Sequence, residues 1–257
     1  MSAHRGSFAV LVCAVITFVA WMSVIMPARA GLVAAGTRVI YQEGQHERTI
    51  AVANRNAWQV MVETWADDGG GDPQRARAPF VILPPVFRLH PEGMQVLRIV
   101  YNGDALPRDR ESVFWLNLYE IPPDPGSRAK SVPHLDLAMD TQFKIFYRPK
   151  GLKSSPDDVA RQLHFTLRRD GDHVLLVCHN PTPYHASFSR IALVAGETRV
   201  PVAPVPDMMT APFAERAYDL SEAPQSLSGA QVTFTLLDDN GSAQEHTMPL
   251  DDARAAP

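Results

Sequence analysis

Cysteine is nearly absent: the 257 residues include two, Cys13 and Cys178. Cys13 lies in an apolar leader, so the folded part keeps a single thiol and has no internal disulfide to brace it. Its stability must therefore come from a hydrophobic core. Cys178 falls within Val174-Leu175-Leu176-Val177-Cys178, which reads as a buried strand and makes the thiol a structural one. A large excess of either sign of charge is also missing. A formal net charge of −4 with both signs interspersed argues against nucleic acid as a partner. Catalytic signatures are missing: there is no G-x-S-x-G, no H-E-x-x-H and no glycine-rich phosphate loop. No spacing links Ser, His and Asp, so neither catalysis nor a cofactor is expected. Cys178, His179 and His185 suggest a copper site on a β-sandwich. The distance in sequence from Cys178 to His185 and the lack of a nearby Met do not suit one, so no metal is expected.

What is there begins with a leader. Arg5 precedes an almost wholly apolar run, Phe8 to Met26; Pro27 breaks it, and Ala28-Arg29-Ala30 matches an A-x-A cleavage pattern. This is the layout of a secretory signal peptide over residues 1–30, with the mature chain starting at Gly31. The run is long enough for an uncleaved membrane anchor to be the alternative. Nothing after residue 30 resembles a span, so no stable membrane association is expected once the signal is removed. Its removal takes away Arg5 and Arg29 and no acid, which shifts the formal charge to −6.

The rest reads as β-strand throughout. Thr37–Tyr41, Thr49–Ala53, Gln59–Trp65, Phe80–Leu83, Gln95–Tyr101 and Val113–Leu118 are short runs rich in β-branched and aromatic residues. Turn chemistry separates them: Glu43-Gly44, Asp67 to Gly71, Pro91-Glu92-Gly93 and Asn102-Gly103. A polar, proline-bounded stretch at residues 150–156 fits an interdomain linker. Strands resume at Leu163–Arg168, Val174–Cys178, Ser187–Val194, Thr198–Pro201 and Gln231–Leu237, and residues 251–257 read as a frayed tail. The expectation is all-β, with two sandwich domains at residues 31–149 and 157–250.

The longest alternation runs from Leu135 to Tyr147. Odd positions read Leu135, Leu137, Met139, Thr141, Phe143, Ile145 and Tyr147; even positions are mostly polar. A single strand of that length spans about 43 Å at ~3.3 Å per residue and outruns an ordinary sandwich. Leu135, Leu137 and Met139 are either an ordinary core row or an apolar edge offered to another chain, a feature that proteins usually blunt.

Several motifs together resemble one family. They are Asp109 to Pro123 (DRESVFWLNLYEIPP), Thr37-Arg38-Val39-Ile40-Tyr41, Val62-Glu63-Thr64-Trp65, Pro84-Pro85-Val86-Phe87-Arg88-Leu89, Lys144 to Pro149 (KIFYRP) and Asn180-Pro181-Thr182-Pro183-Tyr184. In this order they resemble the periplasmic pilus chaperones of the chaperone–usher pathway, PapD-like proteins. The resemblance implies two immunoglobulin-like β-sandwich domains at an angle with a cleft between them. It also implies strand donation to a pilus subunit that lacks its final strand, and delivery to an outer-membrane usher from the periplasm of a Gram-negative cell. On this resemblance Leu135, Leu137 and Met139 are donated residues, and Arg38, Lys144 and Thr37 anchor the subunit's C-terminal carboxylate. Glu111, Arg148 and Asp239 are the charge cluster joining the domains. A secreted immunoglobulin-like adhesion or binding module is the alternative from another class.

Overall fold

The computed structural model describes residues 31–123, 137–171, 173–222, 224 and 227–251. The expected signal peptide, Leu135 and residues 252–257 lie outside the described residues.

The first half is a sandwich. One sheet orders β1 (Leu32–Ala34), β3 (Glu47–Asn54), β7 (Met94–Tyr101) and β5 (Phe80–Leu83). The other orders β2 (Arg38–Gln42), β9 (Met139–Arg148), β8 (Ser112–Ile121), β4 (Val60–Asp67) and β6 (Val86–Leu89). Alternate residues face inward, and Val39, Ile50, Val52, Leu97, Ile99, Leu116, Leu118 and Ile145 form the core between the sheets. Two switches matter for the site. Residues 35–37 carry the chain from β1 in one sheet to β2 in the other, and Pro84-Pro85 does the same from β5 to β6. Proline has no N–H to give a ladder, so it suits such a crossing.

The second half is a separate sandwich. One sheet is β10 (His164–Asp170), β11 (His173–Asn180) and β15 (Ala214–Asp219). Its partner is β13 (Thr198–Pro201), β12 (Ala186–Ala195), β16 (Gln231–Leu237) and β17 (Ala243–Pro249), with β14 (Met209–Thr210) on the end of β12. Phe165, Phe188 and Phe234 meet at its centre with ring centroids 5.3 to 6.4 Å apart, Phe188 lying edge-on to the other two. Cys178 is fully buried here and unpaired.

Three expectations need correction. Among the described residues the long strand starts at Met139, and Leu137 and Ala138 just before it are irregular. Its antiparallel partner β8 pairs only as far as Glu120 opposite Met139, and a strand needs a ladder partner to persist. The linker is shorter than residues 150–156. Ser155 caps a 3-10 turn, Pro156–Asp158, which runs into helix α1, Val159–Gln162. Ser155 and Asp158 form a reciprocal capping box with proline in the first turn. Val159 and Ala160 then enter the second core, too few residues to register as a helical period. Finally, Asp251 is not frayed, since its N–H donates to the Phe165 carbonyl at 2.9 Å.

Candidate functional site

The site forms where the two sandwiches face each other, around the parallel pair β2 and β9. Register places Arg38 opposite Lys144 and Gln42 opposite Arg148. Arg38 is the first residue of β2. Upstream of Lys144, from Met139 to Phe143, β9 pairs with β8 alone, and among the described residues its other edge has no strand partner. The odd face of β9 changes character along this length. Leu137 and Met139 are 64% and 53% exposed, Phe143 is half-buried and Ile145 is fully buried. The even face carries Lys144 and Phe146 into the cleft. Ahead of them, Gln142 donates to Asn117 Oδ1 at 2.7 Å, and burial, then nearby Asp67, pushes the Asp140 carboxyl up.

The two basic residues have different surroundings. Arg38 Nη1 donates to the Leu237 carbonyl at 3.1 Å, and its guanidinium lies 5.6 Å from the Phe146 ring centre. Arg38 Nε is buried without a hydrogen-bond partner. Burial pulls the guanidinium below its ordinary range, against the opposing pull of Asp239, Asp238 and Glu111. Lys144 Nζ pairs with the Asp207 carboxylate, which reaches across from the second half. Thr37 is exposed beside β2, and its hydroxyl closes on Gly241 so tightly that a Cβ there has no room. Gly241 also sits at φ 80°, in the left-handed region that glycine tolerates.

Glu111, Arg148 and Asp239 come together. Arg148 Nε donates to Glu111 Oε1 at 2.8 Å, while Nη1 and Nη2 grip the two Asp239 oxygens at 2.6 and 2.7 Å. That fork is the bidentate geometry arginine favours, and it links β9 to the β16–β17 turn. The Arg148 guanidinium also lies 5.1 Å from the Tyr184 ring centre.

Local sequence explains how the second half meets Glu111. The Asn180 side chain accepts from Thr182 N and Oγ1, at 3.1 and 2.7 Å, and donates to the Tyr184 carbonyl at 2.7 Å. The Asn180–Tyr184 stretch is thereby locked into a loop. Its Pro183 carbonyl accepts from Glu111 N–H at 2.9 Å, and His185 N–H donates to Glu111 Oε2 at 2.9 Å. A cavity of about 530 Å³ opens between the halves, lined by Arg38, Phe146, Arg148, His185, Leu237 and Asp239 among others.

Asp207 and Arg216 escaped the sequence reading, and His185 entered it only as a discounted metal ligand, not as a partner of Glu111. His185 follows the NPTPY motif directly, which was a usable signal. Asp207 had none, because its partner is 63 residues away across the cleft. Cys178, His179 and His185 do not converge: Cys178 is in the core, His179 pairs with Glu215 at 3.1 Å, and His185 meets Glu111.

Two immunoglobulin-like sandwiches meet at a charged cleft beside an open strand edge, which makes the protein a two-domain, all-β one. The chain belongs to the pilus-assembly chaperone family. Its residues 31–153 match the "Pili and flagellar-assembly chaperone, PapD N-terminal domain" model, and residues 158–248 match the "Pili assembly chaperone PapD, C-terminal domain" model. The chaperone protein FimB/FhaD of Bordetella pertussis (strain Tohama I) is 40% identical over 175 residues, 64% of this chain and 68% of the relative. The probable fimbrial chaperone YadV of Escherichia coli (strain K12) is 34% identical over 233 residues, 89% of this chain and 93% of the relative. Among solved structures, the Salmonella enterica SafA pilin in complex with the SafB chaperone matches with TM-score 0.68 at 25% identity, covering 88% of this chain and 99% of that one.

Proposed function

We propose that this protein is a periplasmic chaperone that captures pilus subunits by donor-strand complementation and passes them to an outer-membrane usher. The observation that carries this reading is where the open edge of β9 ends. β2 occupies the lane beside β9 only from Arg38 onward. A strand from another chain that pairs with Met139–Phe143 enters the vacant part of that lane. If it runs parallel to β9, as β2 does, its C-terminus stops against Arg38 and Lys144. A chain terminus is a carboxylate, and two cations at the end of the lane are the charge-assisted donors it needs. Arg38 offers a planar fork, Lys144 a compact point charge, and Thr37 a neighbouring hydroxyl.

Leu137 and Met139, with Leu135 before them, then supply the alternating apolar side chains that fill a subunit's unfinished core. Covering each contributes roughly 1.5–3 kcal/mol, and the new ladder hides the subunit's edge. Glu111, Arg148 and Asp239 hold the two domains so that the cleft stays formed. Membership of the pilus-assembly chaperone family supports the same reading, as does the likeness to a chaperone solved with its pilin. The test is co-expression with subunits encoded by neighbouring genes, then pull-down from periplasmic extract. Stoichiometric recovery of a subunit is expected; recovery of none from any neighbouring gene overturns the reading.

A further inference from the structure

We infer that Asp207 is a built-in competitor for the carboxylate anchor, holding Lys144 in the free protein until an arriving chain terminus displaces it. This rests on the anchor role proposed above for Arg38 and Lys144. The two anchor cations differ in a way that role alone does not explain. Arg38 is held by a neutral group, the Leu237 carbonyl. Lys144 already has a carboxylate, Asp207 Oδ1, brought across the cleft by the segment between β13 and β14. The Lys144 and Asp207 side chains are 22% and 35% exposed, so the pair lies at the cleft mouth and solvent can help it open.

A second cation stands behind Asp207. Its Oδ2 lies 3.8 Å from Arg216 Nη1. Arg216 is fixed independently, donating to the Met209 carbonyl at 2.8 Å and lying 5.4 Å from the Tyr218 ring centre. Asp207 therefore sits between two cations, only one of which faces the anchor. When a terminal carboxylate takes Lys144, Asp207 can turn fully to Arg216 without being stranded. A second carboxylate that stayed on Lys144 would repel the incoming one at close range. The device sets a threshold: a carboxylate that arrives without strand pairing gains little by exchanging one ion pair for another, whereas a pairing strand brings enough extra contact to complete the exchange.

The test uses one peptide of alternating apolar and polar residues, made with a free C-terminal carboxylate and as its C-terminal amide. Binding of both forms is measured to the wild type and to Asp207→Asn, with thermal melts to establish that the variant is folded. The free-carboxylate form should bind Asp207→Asn about tenfold more tightly than wild type, the scale of one partly screened unit charge at contact distance. The amide should bind both proteins alike. In the absence of peptide, acylation of the Lys144 amine, followed by mass spectrometry, should be faster in Asp207→Asn. If the carboxylate form is preferred over the amide but Asp207→Asn binds it no better, or acylation of Lys144 is unchanged, the competitor role is overturned and the anchor stands. If neither protein distinguishes the two peptides, the anchor reading itself fails.

Discussion

Arg148 and Glu111 show what a single buried charge can hold. Their side chains are 12% and 3% exposed, and Arg148 is the one arginine or lysine paired with Glu111 among the described residues. Removing one partner strands the other, so Arg148→Ala should lower the stability read by urea unfolding by about 3 kcal/mol. Asp239 is 42% exposed, and Asp239→Ala should cost about 1 kcal/mol or less. Arg38→Ala and Lys144→Ala belong to a different class. Both line the cleft without filling a core, so their melts should stay near wild type while subunit capture in pull-downs falls at least about tenfold. A variant that retains near wild-type capture removes that residue from the anchor. Cys178 gives a pH dependence. Burial pushes its thiol from an ordinary 9.0 up to about 12. Below about pH 9 both folded and unfolded chains keep the proton; above it the unfolded chain ionises first, so stability falls as pH rises toward 12. Tyr218, raised by burial from 10.0 to about 12, adds to the loss. In urea unfolding between about pH 9 and pH 11, Cys178→Ala should show a shallower decline than wild type.

Strand β9 is one element with two fates. Ile145 lies within the sandwich core, while Met139 on the same face is 53% exposed beyond it. Substituting Asp along that face therefore separates fold from function. Ile145→Asp buries a carboxylate with no partner and should unfold the first domain, a loss of several kcal/mol. Leu137→Asp and Met139→Asp place the charge in water and should change the melting temperature little, yet they should abolish subunit recovery in pull-downs. Equal destabilisation by Leu137→Asp and Ile145→Asp would make the whole strand ordinary core. The edge strands β15 and β17 make a complementary point. Ala214–Asp219 and Ala243–Pro249 are mostly exposed and polar, so no apolar run announces them; they form because β11 and β16 offer open ladders.

At the scale of the molecule, the described chain is held from its first residue. Gly31 N–H donates to Asn56 Oδ1 at 2.8 Å, and its carbonyl accepts from Arg55 N–H at 3.0 Å. The family match also begins at residue 31. Expression in a Gram-negative host should therefore yield a soluble periplasmic product whose N-terminal sequencing begins at Gly31. Sequencing that begins at Met1, with the protein in the membrane fraction, contradicts cleavage after Ala30. Contacts between the sandwiches include the charges of Arg148, Glu111 and Asp239, the Glu111–His185 contact and the Lys144–Asp207 pair. The buried Arg148–Glu111 part of this joint relies on geometry more than on apolar area, which is why a substitution there should be felt by both domains.

Local chemistry carried much of this outcome. Runs of β-branched and aromatic residues placed many of the strands; Phe80–Leu83, Thr198–Pro201 and Gln231–Leu237 match to the residue. The motif resemblance reached the family, and it brought Arg38, Lys144, Glu111, Arg148 and Asp239 to notice as a set. What sequence could not show was which residues meet across the cleft. Parallel pairing of β2 with β9, the end of their shared lane at Arg38, and the approach of Asp207 to Lys144 all depend on contacts between distant segments. An alternating row such as Leu137-Met139-Thr141-Phe143-Ile145 reads the same whether its face is covered or open. Only the position of the opposite sheet and of β2 separates the exposed half from the core half.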